Sequence, residues 1–420
     1  MTSSISIPAA VALPAANAGQ LLKQYTPESA FFFASPTRTL LAQGVHDMIL
    51  EPNGADRGDR LADRVTRVLA SASRAGQGLP MVVGAVPFNS TSPAHLIVPR
   101  AIQSAGPLHR TSESPRSHLP ITIQELRQVP EPRDYVRGVE TAVGLMRSEA
   151  LSKVVLSRML EMVLREPVDL RLVLQRLSQQ NRNGYTFAAN LSDPTAGLSS
   201  AERGVPTSRA RTLLGASPEL LLSRSGLRVI ANPLAGSAVR SPDPDEDRRR
   251  AIALLASEKD RHEHAIVVDA VAAALRPFCR RLSVPDEPSL TQTPTLWHLS
   301  SRLTGELRDL SISSMKLATA LHPTPAVCGY PTDRARDAIE AIEPFDRGFF
   351  TGLVGWSDAS GDGEWAVVIR CADVAGRALR LYAGAGIVIG SNGEHELAET
   401  TAKLGTMLNA LGLDEAPERA

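Results

Sequence analysis

Apolar positions alternate in some stretches of the chain and recur at three- and four-residue steps in others, which predicts a mixture of strands and helices. Strand-like segments run from Lys153 to Arg158, Glu219 to Ser223, Leu227 to Ile230, Trp365 to Cys371 and Arg377 to Tyr382. The last two flank a turn around Ala375-Gly376, and Trp356 and Trp365 bracket the turn formers Ser360-Gly361-Asp362-Gly363, so this region reads as a meander. From Asp245 to about Cys279 the spacing becomes helical, carried by Leu254, Leu255, Ile266, Ala270, Val271 and Leu275 until Pro277. A further helix is predicted from near Glu394, after Ser391-Asn392-Gly393, through Leu411. Polar, Pro-rich or Gly-rich breaks fall at 51–60, 104–118, 192–211 and 241–247, and strands resume after the second and third. No repeat with a period of 20 to 50 residues is present, which sets aside solenoids and propellers.

A chain of 420 residues can hold two or three ordinary domains or one large one. Lys plus Arg and Asp plus Glu each total 45, so the basic surplus of a nucleic-acid binder is missing. At 43% hydrophobic residues the chain is too apolar for wholesale disorder. Cys279, Cys328 and Cys371 are odd in number, widely spaced and without a CxxC pair, which argues against a disulfide framework or thiolate zinc site and for a reducing compartment. No run of eighteen apolar residues offers a membrane-spanning helix. The first nineteen residues are rich in Ser, Ala and Pro, and Lys23 is the first base, so they read as a loose tail rather than a signal peptide; the cytoplasm is the expected location.

Several residues could carry chemistry. In Glu258-Lys259-Asp260-Arg261-His262-Glu263-His264, Asp260 and Glu263 share a helix face; Glu396, Glu399 and Lys403 share one on the last helix. Two helices each presenting paired carboxylates could cage a hard cation such as Mg²⁺, or could simply be solvated faces with Glu-to-Lys pairing; the spacing fits both. His262 and His264 lie on different sides of a helix and form no HExxH motif, so a zinc-protease site is excluded. His298, between apolar neighbours, reads as a core histidine on spacing alone. Gly384-Ala385-Gly386 precedes a strand-like Ile387-Val388-Ile389, which disfavours a dinucleotide loop but leaves a close backbone approach to an anion open. Lys153 and Glu219 each head a strand, where a charge can have its pKa moved toward neutrality or can merely guard an edge.

Taken together, seven blocks in order resemble the chorismate-utilising enzymes, and among them the isochorismate synthases of siderophore and menaquinone pathways. They are Leu151-Ser152-Lys153-Val154-Val155-Leu156-Ser157-Arg158, Gly215-Ala216-Ser217-Pro218-Glu219, Pro233-Leu234-Ala235-Gly236-Ser237, the run from Ser257 to His264, Leu321-His322-Pro323-Thr324-Pro325-Ala326-Val327, Glu343-Pro344-Phe345-Asp346-Arg347-Gly348, and Tyr382-Ala383-Gly384-Ala385-Gly386-Ile387-Val388. The resemblance spans roughly 151–413, with a looser likeness upstream.

The resemblance implies an α+β fold of two large packed antiparallel sheets flanked by helices, in one catalytic domain over 21–413 with tails at 1–20 and 414–420. It implies Lys153 as the base that activates water for attack at C2 of chorismate and Glu219 as the acid that releases the C4 hydroxyl. Mg²⁺ would be held by Glu263 and Glu399, with Asp260 and Glu396 behind them through water. Arg370, Lys403 and the backbone at Gly384 and Gly386 would grip the substrate carboxylates, and Gly236, Ser237, His298 and Ala326 would line the pocket. Free lysine, with a pKa near 10.4, is almost wholly protonated at neutral pH, so the base needs desolvation or a nearby positive charge.

Ala235 stands where aminodeoxychorismate synthases carry a nucleophilic lysine, and Lys153 stands where anthranilate synthases lack the water-activating base. Water is therefore the expected nucleophile, no amidotransferase subunit is expected, and a monomer is. Salicylate synthase, which shares acid and base and then eliminates pyruvate, is the alternative; Phe350, often Tyr in those enzymes, weighs against it. A non-catalytic homologue that binds chorismate is the alternative from another class. The Ser- and Arg-rich stretch at 195–212 is longer than the family usually carries, and of a disordered surface loop or a lid its composition favours the loop.

Overall fold

The computed structural model describes residues 17–49, 60–74, 80–108, 121–148, 151–181, 183–192 and 210–413. The expected tails at 1–16 and 414–420 and most of the 195–212 stretch lie outside the described residues. Residues 18–20, expected in the tail, instead open helix α1 (Ala18–Gln24), where the Asn17 side chain accepts from the Gly19 N–H and caps the first turn.

The chain begins its sheet with β1 (Phe31–Ala34), β2 (Thr39–Met48), β3 (Met81–Val86) and β4 (His95–Ala105). Next come β5 (Ile123–Val129), β6 (Lys153–Leu164), β7 (Tyr185–Asn190), β8 (Arg211–Ser217), β9 (Leu220–Ser225) and β10 (Arg228–Asn232). β11 (Leu234–Val239) is followed by β12 (Cys279–Ser283), β13 (Ser289–Gln292), β14 (Leu296–Ser300) and β15 (Leu303–Leu307). The last strands are β16 (Gly329–Tyr330), β17 (Leu353–Asp358), β18 (Gly363–Val367), β19 (Cys371–Ala375) and β20 (Ala378–Ile387).

β11, β14 and β13 form a small sheet of their own. The others make one antiparallel path, β12-β15-β10-β9-β18-β17-β3-β4-β2-β1-β7-β8-β19-β20-β6, with β5 and β16 sharing the far edge of β6. The path doubles back on itself, because a single core takes Phe187, Leu213, Tyr382 and Met159 from its second half and Val83, Val354, Trp356, Ala366 and Leu220 from its first. The two packed layers expected from the sequence are thus two halves of one folded sheet.

Helices cover both outer faces. α2 (Leu61–Arg74), α6 (Glu258–Leu275) and α7 (Ser314–Leu321) bury apolar stripes against the β10 and β15 half. α1, α4 (Leu170–Gln180) and α9 (Gly393–Leu411) cover the β8, β19 and β20 half, while α3 (Pro132–Arg147) and α8 (Thr332–Ile342) close the end where β6 begins. The helical stretch expected over 245–279 is two helices, α5 (Pro244–Ala256) and α6, because Ser257 adopts extended backbone and its hydroxyl accepts from the Asp260 N–H to cap α6. That break re-aims the acidic run of α6. α9 matches the expected helix, capped by Asn392 and stopped by Gly412 at φ 82°.

The strand expected from Trp365 to Cys371 is broken as well. β18 ends at Val367 in one layer and β19 begins at Cys371 in the other, with Arg370 between them at φ 51°. Glu219 occupies the matching corner between β8 and β9. The Val367 N–H donates to the Glu219 carbonyl at 3.1 Å and the Ala216 N–H to the Arg370 carbonyl at 3.0 Å, so the corners are pinned together.

Candidate active site

Between these corners, the small sheet, α6 and α9 lies a cavity lined by Glu219, Gly236, Ser237, Glu263, His298, Ala326, Arg370, Gly384, Gly386, Glu399 and Lys403 among others. These residues come from segments as much as 184 residues apart in the chain, from Glu219 to Lys403. Three expected site residues do not line it: Lys153, Asp260 and Glu396 lie behind the wall.

Lys153, the first residue of β6, has no exposed surface. Its Nζ lies 2.8 Å from Glu263 Oε1, an ion pair buried on both sides. The contact is close but not aligned as a hydrogen bond, and Nζ has no hydrogen-bond partner. Gly386 makes room for this pair: a Cβ there would sit 2.0 Å from Glu263 Oε1 and 3.1 Å from Lys153 Cε. Lys153 is near enough to Glu219 for its charge to act on that carboxyl.

Glu219 is 4% exposed, and its side chain accepts from the Leu234 N–H at a long 3.5 Å. Burial lifts its pKa from 4.5 to about 7, against the pull of that N–H and of Lys153, Arg370 and Lys403. The result is a carboxyl that still holds a proton near neutral pH.

Arg370 is held at the other corner with its guanidinium buried. Its Nη2 lies 3.4 Å from His298 Nε2, its Nε has no partner, and it forms no ion pair among the described residues. Burial lowers its pKa to about 10, while Glu399 and Glu219 favour its charge. His298 is pushed well below its ordinary value, first by burial and then by Arg370 and Lys403, so it is neutral and accepts from Arg370. His264, which bonds the Ala235 carbonyl and the Ser301 hydroxyl, is a satisfied core histidine held at about 4 mainly by burial.

Of the four carboxylates, Glu263 and Glu399 reach the cavity wall and Asp260 and Glu396 do not. Among the described residues no three His, Cys, Asp or Glu side chains are grouped to hold a metal ion. Each acid instead has a local partner, as buried carboxylates require. Glu263 pairs with Lys153, Glu396 with Lys259 at 2.8 Å, and Glu399 with Lys403 at 2.5 Å, while Asp260 accepts from the Ser257 hydroxyl. They still feel one another. Burial and then Glu399 raise Glu396; burial would raise Glu399 too, but Lys403 and a hydrogen bond from Ser237 hold it below its ordinary value. Asp260 is raised by burial, with Glu263 and Glu399 adding repulsion. Such mutually repelling oxygen donors, two of them on the cavity wall, suit a hard divalent cation.

The remaining expected residues shape the wall. Gly236, at φ 78°, sits where a Cβ would come within 3.0 Å of Asp260, in the bulge that places Ser237 opposite His298. Lys403 donates to the Gly384 carbonyl at 2.8 Å, and beyond Leu381 the β20 edge no longer pairs with β19, leaving that backbone toward the cavity. Sequence reasoning missed three contributors: Thr351 and Tyr382 on the wall, the latter stacked on Phe350 at 5.0 Å, and the buried Glu343–Arg347 pair behind it. Tyr382 opens one matching block and Glu343 and Arg347 are charges inside another, whereas Thr351 carried no signal.

The family model described as chorismate binding enzyme matches residues 86–412. The chain belongs to that family. Isochorismate synthase DhbC of Bacillus subtilis (strain 168) is 54% identical over 400 residues, covering 94% of this chain and 97% of its own length. Isochorismate synthase EntC of Escherichia coli (strain K12) is 39% identical over 387 residues, covering 91% and 95%. Among solved structures, DhbC from Bacillus anthracis matches with a TM-score of 0.86 at 48% identity, covering 94% of this chain and 99% of that one. The folded sheet flanked by helices is therefore the α+β architecture of a chorismate-binding enzyme. No helix among the described residues is long and apolar enough to cross a membrane.

Proposed function

We propose that the chain is an isochorismate synthase, an isomerase that moves the hydroxyl of chorismate from C4 to C2. The observation that carries this reading is the arrangement of three groups: on the cavity wall a buried carboxyl that keeps its proton near pH 7 and a guanidinium without an anion, and directly behind that wall a buried lysine nitrogen without a hydrogen-bond partner. Lys153, reacting as the neutral amine, takes a proton from water as the water oxygen bonds to C2. The ring double bonds shift, the C4–O bond breaks, and Glu219 gives its proton to the departing hydroxyl, which leaves as water. Proton exchange with solvent then resets both groups. A positioned acid or base contributes about 10²- to 10⁴-fold each.

Arg370 takes one substrate carboxylate, with His298 and the Gly384–Gly386 edge beside it. Glu263 and Glu399 would hold Mg²⁺, with Asp260 and Glu396 behind, and the ion would supply a positive anchor for the other carboxylate. Ala235, on the cavity wall, offers no nucleophile, in keeping with water as the attacking group and with no amidotransferase partner. The test is incubation with chorismate and Mg²⁺, product identification by NMR, and parallel assay of pyruvate. Isochorismate without pyruvate is expected, with Lys153→Ala and Glu219→Ala folded but nearly silent. Near-wild-type rates in either variant remove its role, stoichiometric pyruvate makes the chain a salicylate synthase, and no chorismate consumption makes it a binding homologue.

A further inference from the structure

Behind the cavity wall, Arg347 and Glu343 form an ion pair with only 2% of each side chain exposed. Removing two charges from water is costly, and apolar residues of similar volume often serve stability as well, so stability alone is a weak reason for such a pair. Its hydrogen bonds point to another. The Arg347 guanidinium donates from Nε to Glu343 Oε2 at 2.8 Å, from Nη1 to the Val327 carbonyl at 2.8 Å and Thr351 Oγ1 at 3.3 Å, and from Nη2 to the Val155 carbonyl at 2.7 Å. Glu343 Oε1 in turn accepts from the Ser157 N–H at 2.8 Å. Val155, Val327 and Thr351 all line the cavity, and they belong to three separate segments. Val155 is two residues from Lys153.

Thr351 adds an independent observation. It is buried, non-glycine and β-branched, yet sits at φ 60°, a conformation that persists only where the surroundings enforce it. They do so on three sides: its N–H donates to the Val368 carbonyl at 2.7 Å, its carbonyl accepts from His322 Nε2 at 2.8 Å, and its hydroxyl meets Arg347. Strain held in place at a cavity wall marks a position whose geometry matters.

We infer that Arg347, oriented by Glu343, is a positioning residue for the reaction: it locks the Val155, Val327 and Thr351 walls to one another and so sets the strand that carries Lys153 against the substrate. This rests on the assignment of Lys153 and Glu219 above. Displacement of reacting groups by about 1 Å can cost about 10²-fold, so loss of the clamp acts on kcat rather than on substrate affinity.

The test compares Arg347→Gln, Arg347→Lys and Thr351→Val with the wild type and Lys153→Ala, all with chorismate and Mg²⁺. Rates are taken per folded chain, established by circular dichroism and a melting temperature above that of the assay. Arg347→Gln is expected to lose at least about 10-fold in kcat with KM changed by less than about 3-fold, Arg347→Lys to recover part of the loss, and Thr351→Val to lose about 3-fold. If Arg347→Gln does not fold, the other two variants decide. A kcat per folded chain within about 2-fold of wild type in both Arg347→Lys and Thr351→Val overturns the clamp. With Lys153→Ala silent, that result removes the clamp alone, whereas an active Lys153→Ala removes the reading beneath it.

Discussion

Glu219 ties stability to pH in a direction opposite to that of an ordinary surface carboxylate. Its pKa is 4.5 when unperturbed and about 7 in the folded chain, because burial penalises the anion more than the nearby cations favour it. Between those values the folded state keeps the proton and the unfolded state has lost it, so stability falls as pH rises. The slope is about 1.4 kcal/mol per pH unit, and across the window the loss sums to about 3 kcal/mol. Below about pH 4.5 both states are protonated and the full contribution is present; above about pH 7 both are ionised and it is gone. Glu219→Gln removes the titration while keeping shape. The difference in unfolding free energy between variant and wild type, from urea titrations without added metal at pH 4.5 to 8, cancels every other titrating group. It is expected to shift in favour of the variant by about 3 kcal/mol over that range. A difference that stays flat within about 0.5 kcal/mol would refute the assignment of a buried, protonated carboxyl and with it the proposed general acid.

Two further outcomes follow from the cavity wall. Arg370→Gln removes a charge-assisted contact of about 1.5 to 3 kcal/mol, so KM for chorismate is expected to rise by about 10- to 100-fold in steady-state assays; an unchanged KM means that Arg370 does not meet the substrate. Gly386→Ala places a methyl 2.0 Å from Glu263 Oε1 and must push that carboxylate aside. A Mg²⁺ titration of activity should therefore shift to higher concentration, and a response like that of the wild type would separate Glu263 from the metal.

Much of the site was legible because its residues sit on elements with strong local signals. The last helix announces itself through Asn392 and the period that follows, so the shared face of Glu396, Glu399 and Lys403 could be read directly. What stayed hidden was set by tertiary packing. Nothing in the apolar run from Trp365 to Cys371 marks the corner at Arg370, because residues buried in both layers look alike in sequence. Ser257 was hidden inside a helical period that its flanking helices both sustain, although serine is a ready cap. The pairing of Lys153 with Glu263, and the left-handed Thr351, are consequences of where distant segments meet. Local spacing carries no record of them.

The charge count at the cavity connects these features to the chemistry. Lys153 is matched by Glu263 and Lys403 by Glu399, while Glu219 stays largely neutral below about pH 7. Arg370 is then the one wall cation, among the described residues, left without an anion. A monocarboxylate would satisfy it, but chorismate carries two carboxylates, and the second would enter a buried site already holding Glu263 and Glu399. Burying an uncompensated charge is strongly unfavourable, so a dianion can settle here only if a further positive charge accompanies it. On the proposed function, Glu263 and Glu399 would hold a divalent cation that would supply that charge, and Glu263 would then be shared between the ion and Lys153. Glu263 would thus serve both as counter-ion to Lys153 and as a seat for the metal, and Gly386, where a Cβ would meet its Oε1, leaves it that room.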